Sequence, residues 1–314
     1  METKFERYPL VTIVTPTYNQ ADYLAETIES VLNQSYPNIE YIVINDGSTD
    51  HTEQVLDRYR DRVICICQDN MGQSATLNKG WGISKGEYLS YLSSDDILYP
   101  NAIENLIEVI NEKKYVCVFP DSNLIDIGGK VVKKNICKEF DLEKLVVDQE
   151  CYIGPGAIFK KSSLEKHGGW DTSLKLAPDR EFWIRISQDG EFYFLQKVLA
   201  GYRLHPRSIS YSEVSESVSN EYLRVLDNYF STFIVPASLK KRKNEAYAKA
   251  KLIVARNFLR SARFKKAFKA HREAIDYWPK ILAPNYTWVL LRSVLGKPVR
   301  LLLGKIKRIV YRKN

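Results

Sequence analysis

The sequence predicts an α/β fold: a mostly parallel central sheet with helices on both faces, followed by an α-helical C-terminal region. Three observations predict it. Up to about residue 120, short β-branched apolar stretches alternate with stretches of helical period. Polar residues collect where several of those apolar stretches stop. Beyond a serine-rich stretch at 208–220 the pattern is helical throughout. An apolar share of 45 % with 27 % charged residues is that of a folded chain, which excludes general disorder.

The elements follow in order. Leu10 to Thr15 is rich in Val, Ile and Thr and reads as a buried strand. Polar residues 16–20 lead into a helix with Leu24, Ile28, Val31 and Leu32 on one face, ended by Pro37. Glu40 to Ile44 is a second strand, closing in Asn45-Asp46-Gly47-Ser48. Helix 51–60, strand 62–67, a glycine turn at Met71-Gly72 and a helix to about residue 84 come next. Strand Glu87 to Leu92 runs into Ser93-Ser94-Asp95-Asp96, and helix 100–112 with strand 115–119 completes the series. After residue 120 the alternation stops. Gly128-Gly129 predicts a hairpin turn, Ala157 to Phe159 a strand and Ser162 to His167 a short helix. Pro178 opens a helix that buries Phe182, Trp183 and Ile186, and strand 191–203 ends in His205-Pro206-Arg207-Ser208. Helices over 221–233, 238–259 and 265–276 follow.

The net charge of +8 divides sharply. Residues 237–314 carry 22 of the 46 Lys and Arg with three acids, a charge of +19, which leaves −11 on the rest. Such a region either meets an anionic surface, phospholipid or nucleic acid, or solvates the outer faces of helices. The cysteine count of five is odd, and only Cys65 and Cys67 are closely spaced, so a reduced cytosolic chain without a zinc site is expected. Met1 to Arg7 has no signal-peptide core, and the best apolar run, Tyr286 to Leu295, is interrupted by Arg292. The expectation is a protein that is soluble or attached to a membrane only peripherally.

Ligands of open α/β sheets sit outside the carboxyl ends of the strands. Three such ends are polar here: Pro16-Thr17-Tyr18-Asn19, Asn45-Asp46-Gly47-Ser48 and Ser94-Asp95-Asp96. Asp95 and Asp96 follow an apolar strand where carboxylates gain nothing from packing, and together with phosphate oxygens they suit a hard divalent ion. A helix N-cap is the competing reading, but Asp96 lies four residues ahead of Pro100, too early for a cap. Asp46 is either turn chemistry or an acceptor for a base or ribose. Asp179 is either a first-turn acid favoured by the helix dipole or a general base, with Glu181 close enough to compete for that role. His205 and Trp170 stand out by position, against the plain alternatives of a hydrogen-bonded histidine and a core tryptophan. The glycines at 80, 82 and 86 end a helix instead of opening one, and neither a Gly-x-x-x-x-Gly-Lys-Ser/Thr loop nor a Gly-x-Ser-x-Gly elbow is present.

Six segments then resemble glycosyltransferase family 2, in the family's order, over roughly residues 8–210. They are Val11 to Asn19, Ile44 to Asp50, Asn70 to Gly80, Ser94 to Pro100, Gly168 to Asp171 and Tyr202 to Ser208. The resemblance implies the GT-A fold and an inverting transfer. By it, Pro16, Thr17 and Tyr18 line the nucleotide pocket, Asp46 contacts the base, and Asn78 and Lys79 lie near the donor. Asp95 and Asp96 hold the nucleotide and a divalent metal, Mn2+ or Mg2+, His205 assists the diphosphate or metal, and Asp179 is the catalytic base. Two places depart from the family: Ser93-Ser94-Asp95-Asp96 stands for Asp-Ala-Asp-Asp, and Pro178-Asp179 for Glu-Asp.

The implied organisation is a GT-A domain at 1–215, with a nucleotide-sugar half at about 8–120 and an acceptor half at about 121–210. The basic helical region at 216–314 lies outside the resemblance. The implied reaction moves a sugar from a nucleotide-diphosphate donor, a UDP-sugar, to a glycan or lipid-linked acceptor in cell-surface polysaccharide synthesis. One rival is a nucleic-acid-binding module on the basic region, whose aromatics however fit helical core spacing; the other is a nucleotidyltransferase, which lacks its glycine-rich loop here. No nucleic-acid partner is expected. Residues 296–314 mix apolar and basic side chains as an interfacial helix does, so the expected partner surface is an anionic membrane, at the inner face of the cell membrane.

Overall fold

Valine, isoleucine and threonine crowd β1 (Val11–Thr17) and β2 (Ile39–Asp46), and both strands are buried nearly throughout, as expected of strands covered on two faces. The computed structural model that contains them describes residues 8–112, 115–205, 215–286, 288 and 290. Packing divides the described residues into two units, one within Met1–Leu142 and Cys151–Ser208, the other within Glu143–Glu150 and Ile209–Asn314.

The first unit is a nine-stranded sheet. It adds β3 (Ile64–Gln68), β4 (Tyr88–Tyr91), β5 (Ile97–Leu98), β6 (Cys117–Ile125), β7 (Val131–Lys133), β8 (Ile158–Lys160) and β9 (Phe192–Arg203). Their order is β3-β2-β1-β4-β8-β6-β9-β5, with β7 hairpinned on β6. Only part of the sheet is parallel. β3, β2, β1 and β4 run together, and so do β6 and β9, but β8 and β5 are antiparallel to their neighbours. The sheet is therefore mixed and not mostly parallel: residue pattern marks a strand, whereas its direction depends on connections that lose their helical crossovers after residue 120.

Helices α1 (Ala21–Leu32), α2 (Thr52–Asp57), α3 (Gln73–Ile83) and α4 (Ala102–Glu112) alternate with the first strands. The face of α1 carrying Leu24, Ile28 and Val31 is buried. Against β1 the approach of α3 requires Gly80, because a Cβ there would lie 2.5 Å from Val14 Cγ1. Helices α5 (Lys161–His167) and α6 (Pro178–Ile186) complete the unit, with Phe182, Trp183 and Ile186 of α6 fully buried.

The second unit is helical: α7 (Glu216–Ser219), α8 (Glu221–Thr232), α9 (Ala237–Lys241), α10 (Lys243–Arg260) and α11 (Phe264–Tyr277). The single long helix expected over 238–259 is broken at Arg242. Ala262, at φ +56, turns α10 back into α11. A short π-helical segment, Lys144–Asp148, packs with these helices and buries Leu145, Val146 and Val147. Glu143 pairs with Arg242, and Lys249 joins Asp148 and Glu245. Among the described residues, no helix is long and apolar enough to cross a membrane. Residues 296–314 lie outside the described residues.

Candidate active site

Register brings the carboxyl ends of the first four strands side by side: Thr17 opposes Asn45, Asp46 opposes Gln68 and Val14 opposes Tyr91. Pro16 and Thr17 close β1, and the buried Thr17 hydroxyl has no hydrogen-bond partner among the described residues. Tyr18, just beyond, is 48 % exposed. Asn19 takes a left-handed backbone, φ +54, and its side-chain oxygen accepts from the amides of Thr49 and Asp50. The loops after β1 and β2 are thereby tied together.

Asp46 is buried, and its carboxylate accepts from Gln68 Nε2 and from the backbone amides of Met71 and Gly72, each at 2.8 Å. It thus fixes the turn into α3, where Gly72 stands at φ +86. Lys79 donates to Gln68 Oε1 at 2.8 Å, so Lys79, Gln68 and Asp46 form one chain of hydrogen bonds. Asn78 is committed elsewhere. Its Nδ2 donates to the Trp170 carbonyl and its Oδ1 accepts the Trp170 amide, both at 2.8 Å. This clamp needs Gly169, where a Cβ would lie 2.1 Å from Asn78 Oδ1.

The two adjacent acids take different partners. Asp95 Oδ2 lies 2.7 Å from Nε2 of the buried His205, whose ring also packs on Tyr23. Asp96 is buried, and its Oδ1 accepts the Arg203 amide at 2.8 Å. Burial and the neighbouring Asp95 carboxylate push the Asp96 carboxyl well up. Arg203 fastens this loop. Its guanidinium, with no exposed side-chain surface, donates to the Asp95, Asp126 and Ile127 carbonyls and pairs with Glu26 at 2.6 Å. Among the described residues, no group of three or more His, Cys, Asp or Glu side chains converges as a metal cage.

On α6, Pro178 occupies the first turn and Asp179 follows it. Glu181 is held by both ends in Arg185, at 2.7 and 2.8 Å, and Arg185 also donates to the carbonyls of His167, Gly168 and Gly169. Glu181 thereby anchors the Gly168-Gly169 turn through Arg185. Burial raises the Asp179 carboxyl above its usual range, with Arg180 partly offsetting. The Tyr91 phenol, at the end of β4, is pushed up by burial and then by Asp179, Cys151 and Asp96 in turn. Trp170 packs edge-on against Tyr91, ring centroids 4.9 Å apart, and its buried Nε1 has no partner among the described residues.

Sequence reading missed Glu26, Gln68, Tyr91, Arg185 and Arg203. Only two left a local trace: Arg185 stands four residues after Glu181 on one helix, and Arg203 is a charge at the end of an apolar strand. Pro206, Arg207 and Ser208, the end of the last motif, lie outside the described residues.

A model of one family, Glycosyl transferase family 2, matches residues 12–168, half of the chain. The chain belongs to that family. This glycosyltransferase is 35 % identical over 205 residues to an uncharacterized glycosyltransferase of Rickettsia prowazekii (strain Madrid E), over 63 % of this chain and 64 % of that protein. It is 28 % identical over 229 residues to the chondroitin synthase of Pasteurella multocida (strain Pm70), over 71 % of this chain and 24 % of that one. The chain therefore matches just under two thirds of the first relative's length and about a quarter of the second's. Residues 1–349 of S. aureus TarS in complex with UDP superpose with a TM-score of 0.56 at 19 % identity, covering 91 % of this chain and 92 % of that one. The mannosyltransferase PcManGT of Pyrobaculum calidifontis, in complex with GDP-Man and Mn2+, gives 0.59 at 18 %, covering 95 % and 88 %. Likeness at that identity shows the fold, which is GT-A.

Proposed function

We propose that this glycosyltransferase moves a sugar from a nucleotide-diphosphate donor, a UDP-sugar, to a hydroxyl of a glycan or lipid-linked acceptor, with inversion at the anomeric carbon, in cell-surface polysaccharide synthesis. The observation that carries the reading is the Asp95–His205 pair, 2.7 Å apart, just beyond the ends of β4 and β9. UDP in the TarS structure, GDP-Man and Mn2+ in the mannosyltransferase, and the name of the chondroitin synthase support the donor class, the cation and the polysaccharide product.

Pro16, Thr17 and Tyr18 line the nucleotide pocket, and the orphaned Thr17 hydroxyl offers a donor and acceptor to the nucleotide. Asp46 presents the base pocket through its hold on Met71 and Gly72, with a lone pair left for a base N–H. Lys79 and Asn78 border the donor. Asp95 and the buried His205 are a carboxylate and an imidazole just beyond the ends of β4 and β9, a pair that suits Mn2+ or Mg2+ shared with diphosphate oxygens. They would hold the cation, with Asp96 behind them on Arg203. When bound, the cation neutralises charge on the leaving diphosphate. Asp179 removes the acceptor proton as the hydroxyl attacks the face opposite the leaving group, and its raised pKa improves its match to that proton. The site of action is the cytoplasmic face of the membrane, with residues 296–314 as a peripheral contact.

The test is Asp179→Asn. This variant should bind nucleoside diphosphate at parental affinity and lose transfer by roughly 100-fold or more. Retained turnover would sink the assignment. Release of pyrophosphate in place of nucleoside diphosphate would favour a nucleotidyltransferase.

A further inference from the structure

Helix α11 buries a narrow seam of small residues, Ala267, Ala270 and Ala274, and leaves much of its circumference in water. On that free side stand Phe264 and Phe268, 61 % and 72 % exposed. They are four residues apart, about 40° around the helix, and so form one ridge. The adjoining strip carries Lys265 and Arg272, which make no ion pair or hydrogen bond among the described residues, Lys269, which lies 4.0 Å from Glu273, and one exposed acid, Asp276. The helix places two bulky apolar rings in solvent and lines them with three cations against one acid of the same strip.

We propose that this face of α11 docks on an anionic lipid surface, the phenyl rings entering the boundary between headgroups and acyl chains and the cations lying among phosphates. Two properties select this occupant. A second copy of the chain would bring Lys265, Lys269 and Arg272 against their own kind. The rings need an apolar medium beside the anionic one, and the headgroup boundary of a bilayer supplies both within one side-chain length. The helix contributes this contact independently of residues 296–314.

The test is flotation of the full chain with vesicles of phosphatidylcholine alone or mixed with phosphatidylglycerol. Two double variants are compared with the parent, Phe264→Ser with Phe268→Ser, and Lys265→Glu with Arg272→Glu. The parent should bind only the anionic vesicles, and each double variant should lose roughly tenfold or more in affinity while keeping its Tm and nucleoside-diphosphate binding. Parental binding by both variants overturns the proposal. So does binding that is lost on deleting 296–314 and untouched by the α11 variants. A dimer, or a complex with single-stranded nucleic acid, that the phenylalanine pair abolishes while vesicle binding persists assigns the face to that partner instead.

Discussion

Replacing Arg203 by methionine tests how the Asp95–Asp96 loop is held. The guanidinium is fully buried and donates to three backbone carbonyls, those of Asp95, Asp126 and Ile127, besides pairing with Glu26. Glu26 is 52 % exposed in its side chain and regains water when the partner leaves, so that pair adds little. The Ile127 carbonyl, on an exposed residue, regains water too, whereas those of the part-buried Asp95 and Asp126 regain it only in part. Each charge-assisted bond lost is worth about 1.5–3 kcal/mol, set against the cost of burying the guanidinium that methionine avoids. The net loss should be about 3–4 kcal/mol, which for a chain of this size lowers Tm by roughly 5 °C. Nucleoside-diphosphate affinity should fall as well, because Asp95 loses the anchor of its own carbonyl. Arg203→Lys keeps the charge and loses the fork, and should fall between. The assay is thermal unfolding with and without nucleoside diphosphate and Mn2+. A methionine variant within about 1 kcal/mol of the parent, with unchanged affinity, would refute the anchoring role.

Three further outcomes follow from the same geometry. Because burial raises the Asp179 carboxyl and the base acts ionised, kcat/KM should fall as pH drops through that raised value, placing the acid limb above the ordinary 3.8; a limb at or below 3.8 removes Asp179 as the base. The same shift makes ionised Asp179 a cost to the fold once pH exceeds 3.8, so Asp179→Asn should be the more stable protein in urea at neutral pH. Glu181→Gln breaks a buried bidentate pair and should lower stability by about 3 kcal/mol, yet leave the acid limb in place; a moved limb would return Glu181 to the reaction. Gly169→Ala sets a Cβ against Asn78 Oδ1 and should cost about 1–3 kcal/mol, read by chemical denaturation, with relief in the double variant that also carries Asn78→Ala.

From β1 to α4 the elements were legible because each carries its own period, two in the strands and 3.6 in the helices. The polar strand ends were legible for the same reason, since they interrupt an apolar pattern. The direction of β5 and β8 was not, because both owe their antiparallel sense to neighbours far along the chain. The acid pair shows a different limit. Adjacent residues need not point the same way, and here Asp95 meets His205 while Asp96 meets Arg203, partners 110 and 107 residues distant. Glu181 and Asp179 were separable in principle, as Arg185 sits at ion-pairing spacing from Glu181 alone on that helix.

The segment Lys144–Asp148 has a bearing on inheritance. It packs with the C-terminal helices, but its codons lie in the middle of the stretch that encodes the GT-A sheet. A gene cut before residue 216 would still produce it, with Leu145, Val146 and Val147 stripped of their cover and Glu143 and Asp148 of Arg242 and Lys249. One crossover therefore cannot trade this helical region for another. A lineage that replaced it would have had to rewrite residues 143–150 as well, so the two stretches should change together among relatives that share the arrangement.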